Sequence, residues 1–359
     1  MGILSGIRIV EFDALGPVPL CAMLMADHGA DIVRIARPGS PVVEHEVGGA
    51  ILHRGRPSLT LDLKTDEGQR QALSLIHRAD ALIEGFRPGV MERLNLGPDV
   101  CLERNLRLVY GRMTGWGQTG PLALRAGHDI NYIALTGALH AIGPADGPPV
   151  PPLNIIGDYA GGSMLLAFGL LAGLLDARRT GKGQVVDAAM CDAVPMLLSL
   201  FHAFAQTGAW QEKRASNTLD GGAPFYRCYA CQDGGFVAVG ALEPQFYRAL
   251  LAGLGLSADE YPQHDRSAWP VTAKAISERF LSRTRDAWAE HFQHLDACVT
   301  PVLSLADARY APHLVARGVF RERDGVYEAA AAPRFSGRET RIAAPSREAI
   351  GDALARWSQ

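Results

Sequence analysis

Apolar residues along this chain fall into two kinds of pattern. Short runs rich in β-branched side chains occur at residues 7–12, 31–35, 58–63, 81–84, 106–113 and 184–187. Nearly continuous apolar runs of that kind suit strands buried on both faces. Between them the spacing lengthens to a helical period at residues 20–28 and 66–78, the second opening with Asp66 and Glu67, whose charge favours a helix N-terminus. Strand alternating with helix predicts an α/β fold with a parallel, doubly wound sheet, because parallel neighbours need crossover connections. Ligands of such sheets lie beyond the carboxyl ends of the strands. The residues to inspect are therefore Gly16, Arg37, Asp62 to Lys64, Gly85 to Arg87, and the stretch from Thr114 to Asp129.

From residue 225 the pattern changes. Runs at 226–230 and 236–239 flank Asp233-Gly234-Gly235, a hairpin signal, and helical spacing follows at 245–254, 269–283 and 285–294. The expected organisation is a large domain over residues 1–190, a linker helix and loop over 191–224, a smaller α+β domain over 225–305, and a return linker over 306–324. Residues 325–359, with a short helix at 347–357, would complete the large domain.

Two stretches carry the candidate chemistry. GRMTGWGQTGPLALRAGHDINY, residues 111–132, leaves a strand, passes glycines and a proline that forbid regular structure, and sets His128 and Asp129 at a helix start predicted to run through residues 130–139. PLNIIGDYAGG, residues 152–162, places Asp158 at or near the first turn of a long apolar helix. A base and an acid are thus offered from loop-to-helix junctions. His128 also fits a buried structural histidine, and Asp158 also fits a helix cap.

Composition narrows the partners. The 359 residues are 48% hydrophobic and 20% charged, with net charge −3, so no global basic field invites nucleic acid or an anionic membrane surface. In this reading Arg37, Arg54, Arg56, Lys64, Arg87 and Arg93 gather on the strand-end side; each alone also fits a solvated surface charge, and together they suit a ligand with several phosphates. Scattered cysteines and no leader segment predict a reducing, cytoplasmic setting, and the uncharged apolar run at 164–175 is too short to cross a bilayer. Gly181-Lys182 lacks the other residues of a phosphate-binding P-loop, no G-x-G-x-x-G opens the first helix, and Leu165 breaks a nucleophile elbow after Ser163. Cys228, Cys231, His291 and His294 lack the tight paired spacing of a zinc site, so no metal is expected.

The runs SGIRIVEFDALGPVP, GADIVRIARPG, LIEGFRPGVMERLNLGP, GRMTGWGQTGP, GHDINYIALTGALHAIG, GDYAGGSMLLAFGLLAGLL, TGKGQVVDAAM and LDGGAPFY resemble, in order and over nearly the whole chain, the α-methylacyl-CoA racemases of the family III CoA-transferase superfamily. The resemblance implies a Rossmann-like large domain that binds no NAD, and a homodimer of interlocked chains whose active site forms between subunits. It implies racemisation of 2-methyl-branched acyl-CoA thioesters by proton transfer through an enolate, with no cofactor, since the thioester itself acidifies the α-proton. His128 would be the base for the (S)-thioester and Asp158 its partner on the (R) side, oriented by Asp129 and by Glu243 from the second subunit. Arg37, Leu61, Asp62, Leu63, Lys64, Gly85, Phe86, Arg87 and Arg93 would hold the nucleotide and phosphates of CoA. Gly127, His128, Asp129, Ile130, Asn131 and Tyr132 would hold the pantetheine and thioester. Met190, Met196 and nearby leucines could offer the acyl group an adaptable surface. The nearest alternative is a CoA-transferase in which Asp158 attacks the thioester, for which His128 has no evident use.

Overall fold

The computed structural model describes residues 2–39, 49–338, 340 and 342–358. These divide into two compact units, one of Met1–Thr136, Pro152–Leu198 and Gly318–Gln359, the other of Gly137–Pro151 and Ser199–Arg317.

The first unit is built on a parallel sheet. Strands β1 (Arg8–Phe12), β2 (Asp31–Ala36), β3 (Pro57–Thr60), β4 (Ala81–Glu84), β5 (Val109–Thr114) and β6 (Gln184–Ala189) follow the apolar runs. Spatially they run β3-β2-β1-β4-β5-β6, every pairing parallel. This order reverses direction between β1 and β4, and open α/β sheets bind their ligands in the crevice at such a point. Successive strand residues serve opposite faces. Ile9, Ile32 and Val109 pack with Cys21, Met25 and Leu170, from helices Pro17–Asp27 and Leu165–Thr180, on one face. Val10, Val33 and Tyr110 pack on the other with Leu75, Met91 and Trp357.

The second unit carries the three-stranded antiparallel sheet of β7 (Tyr226–Ala230), β8 (Phe236–Gly240) and β9 (Val299–Pro301). Phe225, Val237, Leu250, Ile276, Phe280 and Trp288 form its core with the helices behind it. His291 Nε2 lies 2.8 Å from the Gly253 carbonyl oxygen, a hydrogen bond that ties helix Arg285–Phe292 to helix Pro244–Gly253.

In the first unit, the C-terminal stretch adds a hairpin, β10 (Phe320–Arg323) with β11 (Val326–Ala329), and β12 (Ser346–Arg347), which joins β3 as the seventh parallel strand. Helix Ile350–Arg356 follows, and Trp357 is buried, donating from its indole to Asp31 Oδ2 at 2.9 Å.

Three expectations change. The helix after His128 ends at Leu135 rather than at 139. The helix after β6 is two, Met190–Leu197 and Ser199–Gln206, the first with Pro195 inside it, which removes a backbone donor. The apolar run at 164–175 belongs to a continuous helical stretch, Ile155–Thr180, whose 26 residues suffice by length and composition to cross a membrane; half of its most apolar window is buried inside the protein.

Candidate active site

At the carboxyl ends of β1, β4 and β5 the first unit has a cavity of about 690 Å³. It lies at the reversal in strand order. Residues from Asp13 to Pro19, from Gly85 to Pro88 and from Met113 to Trp116 line it, as do His128, Asn154 and Asp158. The two stretches singled out by sequence therefore meet there.

His128 stands at the N-cap of helix Asp129–Leu135 in extended conformation, its backbone N–H donating to Asn131 Oδ1 at 3.0 Å. The loop before it is fixed by Tyr132, whose hydroxyl donates to the Gly127 carbonyl at 2.5 Å and whose ring meets Trp116 edge-on at 4.7 Å. Gly115 lies so close beneath that ring that a Cβ there would fall 2.0 Å from it. Only glycine fits that approach. The His128 side chain is left exposed at the rim.

Asp158 sits in the first turn of a π-helix, Ile155–Met164, which runs on into helix Leu165–Thr180. Such wide turns are rare and recur at functional sites. Leu153, just before it, has a left-handed backbone with φ of 59°, a costly conformation for a leucine. Asn154 donates from Nδ2 to Asp158 Oδ2 at 3.1 Å. The Asp158 backbone N–H donates to Asp129 Oδ2 at 2.8 Å, while the buried Asp129 Oδ1 accepts no hydrogen bond. Gly157 makes this possible, since a Cβ there would lie 2.5 Å from Asp129 Oδ2. Burial raises the Asp158 carboxyl above the usual range and the Asp129 charge adds to this, whereas the Asn154 hydrogen bond and His128 draw it back.

Of the predicted CoA contacts, Gly85, Phe86, Arg87, Gly127, His128 and Tyr132 line the cavity. Arg37 follows β2, and Leu61 to Lys64 follow β3, so they stand at the same end of the sheet without lining it. Arg93 is exposed on the short helix Val90–Arg93; Asp129, Ile130 and Asn131 form the first turn behind His128. Glu243 belongs to the second unit, exposed at the N-cap of helix Pro244–Gly253.

Arg54 and Arg56 are a correction. Both are buried, and neither is available to phosphate: Arg54 bonds Asp27 at 2.5 Å and Glu328 at 3.2 Å, and Arg56 pairs with Glu11 at 2.7 Å. A buried guanidinium needs its carboxylate, and these have theirs within the fold. Asn154 is the residue that sequence reasoning passed over, although it stands four positions before Asp158, the spacing of one helical turn.

An open parallel sheet with an imidazole and a carboxylate at its topological switch point defines an α/β enzyme-like scaffold whose titratable cavity groups come from loop-to-helix junctions. A sequence profile of CoA-transferase family III matches residues 4–349, and the chain belongs to that family. It is 45% identical over 318 residues to the alpha-methylacyl-CoA racemase of Homo sapiens, covering 88% of this chain and 82% of that protein. The Mus musculus alpha-methylacyl-CoA racemase is 44% identical over 319 residues, covering 89% and 82%. The crystal structure of a CAIB/BAIF family protein from Brucella suis superposes with a TM-score of 0.84 at 23% identity, covering 99% of each chain, which establishes the fold.

Proposed function

We propose that this protein interconverts (R)- and (S)-2-methyl-branched acyl-CoA thioesters. The observation that carries the reading is that His128 and Asp158, separate in sequence, line one cavity. Inverting a carbon centre by proton transfer needs two acid/base groups, one for each face. With the (S)-thioester bound, neutral His128 takes the α-proton and the electron pair moves onto the thioester oxygen as an enolate. Protonated Asp158 then returns a proton to the opposite face, and the (R)-thioester runs the sequence backwards. The raised Asp158 carboxyl favours the protonated form this direction requires. On this reading the Asp129 and Ile130 backbone N–H groups that open helix Asp129–Leu135 would meet the developing negative charge, worth about 3 kcal/mol per donor. Asp129 holds the Asp158 backbone through its carboxylate.

The substrate carries its own activating group, the thioester, so the reading calls for no cofactor. The reading also has CoA crossing the carboxyl ends of β2, β3 and β4, and two chains assembling as an interlocked dimer, with Glu243 reaching the site from the partner. An exposed apolar stripe at helical spacing, Met164, Phe168, Leu171 and Leu175, with Val185 on the edge strand β6, supports an assembly that covers it.

The test offers the enzyme a single enantiomer of a 2-methylacyl-CoA with a free carboxylic acid present. Racemisation without CoA exchange is the expected result. CoA transfer to the acid, with hydroxylamine capturing an acyl group on Asp158, would instead make the carboxylate a nucleophile and the protein a transferase.

A further inference from the structure

One buried guanidinium joins three pieces of the site's outer wall. Arg112 of β5 is directly opposite Glu84 of β4 in the parallel pairing, and donates from Nε to Glu84 Oε1 at 3.0 Å. Its two terminal nitrogens reach Glu92 Oε1 and Oε2 at 2.8 and 3.3 Å. Glu84 is wholly buried and accepts the Phe86 backbone N–H on its other oxygen at 2.7 Å. The turn at Gly85 to Arg87 is thereby fixed at its middle residue, and that turn lines the cavity.

The third piece is the helix Val90–Arg93, only four residues long. So short a helix has little stability of its own, and its orientation depends on what its side chains grip. Met91 is buried beneath it, and Glu92 is held from the side by Arg112. Arg93 is the next residue. Its exposed side chain and that of Arg87 have no carboxylate partner among the described residues. The sheet ladder already holds β4 against β5, so what the Arg112 fork adds is the placement of the 85–93 segment relative to the sheet. A planar guanidinium holds two carboxylates in a fixed mutual geometry, bidentate on Glu92, which the freely rotating point charge of an ammonium does not impose.

We infer that Arg112, Glu84 and Glu92 form a positioning unit that presents Arg87 and Arg93 to the phosphates of the coenzyme A portion of the substrate. None of the three is assigned a contact with ligand; they act through the wall they hold. The inference rests on the CoA placement proposed above.

Calorimetric titration of Glu92→Gln and Arg112→Lys with free CoA and with pantetheine, which lacks the nucleotide and phosphates, tests it. Glu92 is partly exposed, so its variant keeps the buried Glu84–Arg112 contact and tests the wall without emptying the core. The Kd for CoA is expected to rise about tenfold in both variants, a loss of about 1.4 kcal/mol, with pantetheine binding unchanged. In steady state the KM for acyl-CoA should rise while kcat at saturation stays near that of the wild type. An unchanged CoA Kd, or an equal loss for CoA and pantetheine, would reduce the unit to a purely structural clamp. A wild type that binds no CoA would overturn the site assignment first, and this inference with it.

Discussion

Two sets of charged residues in the sheet unit live under opposite conditions. Beside helix Pro17–Asp27, Arg54 bonds both Asp27 and Glu328, and Glu328 also receives Arg321 and Arg323. Every carboxylate there meets a cation. At the cavity, Asp158 and the Asp129 carboxylate behind it meet no arginine among the described residues; their partners are a backbone N–H, an amide and the field of an imidazole. The ionisation follows the company. Burial opposes ionisation of Glu328, yet its three arginines hold it down at about 2, whereas burial and a neighbouring carboxylate raise Asp158. A carboxylate matched to a cation serves the fold, and one left unmatched at a cavity wall stays able to exchange a proton.

The sharpest way to break this contrast is to remove the cation from the matched set. Arg54→Met would leave Asp27 and Glu328 short of a buried partner and should cost about 3–5 kcal/mol of stability by chemical denaturation. A loss below 1 kcal/mol would mean that water or repacking makes good the charge. Glu328→Gln is the next step down, about 2 kcal/mol at neutral pH. Because the Glu328 carboxyl lies below its ordinary value of 4.5 in the folded protein, its stabilisation is full above that pH and is lost as pH falls towards 2. The gap between wild type and Glu328→Gln should close over that window, and a gap constant with pH would refute the ion-pair account. The smallest effect belongs to the cavity. Asn154→Ala removes a hydrogen bond to the Asp158 carboxylate, so the Asp158 carboxyl should rise further. With the (R)-thioester, for which the proposal makes ionised Asp158 the base, the acid limb of kcat/KM should move to higher pH, with little change in stability. A stationary limb would show that another group governs it.

Much of the parallel sheet was legible because strands buried on both faces leave continuous apolar runs, as at Ala81–Glu84, where expected and observed bounds coincide. What escaped was structure settled by distant pairing. The Ser346–Arg347 strand has no apolar signature and exists because β3 offers an edge. Arg54 looked like a phosphate ligand because its partner Glu328 stands 274 positions away. His128 and Asp158 were readable as loop-to-helix junctions, since glycine and proline followed by apolar residues mark such places. The π-turn around Asp158 was not, because no residue period announces i→i+5 bonding, and Asn154 drew no notice without it.

The most direct measurement of the central claim is deuterium uptake at the α-carbon of (R)- and (S)-2-methylacyl-CoA in heavy water, with wild type, His128→Ala and Asp158→Ala side by side. The account predicts uptake with inversion by the wild type from either enantiomer, and a loss of about a hundredfold or more in each variant. Absence of uptake by the wild type, or uptake that survives both substitutions, would contradict a two-group proton transfer at this cavity.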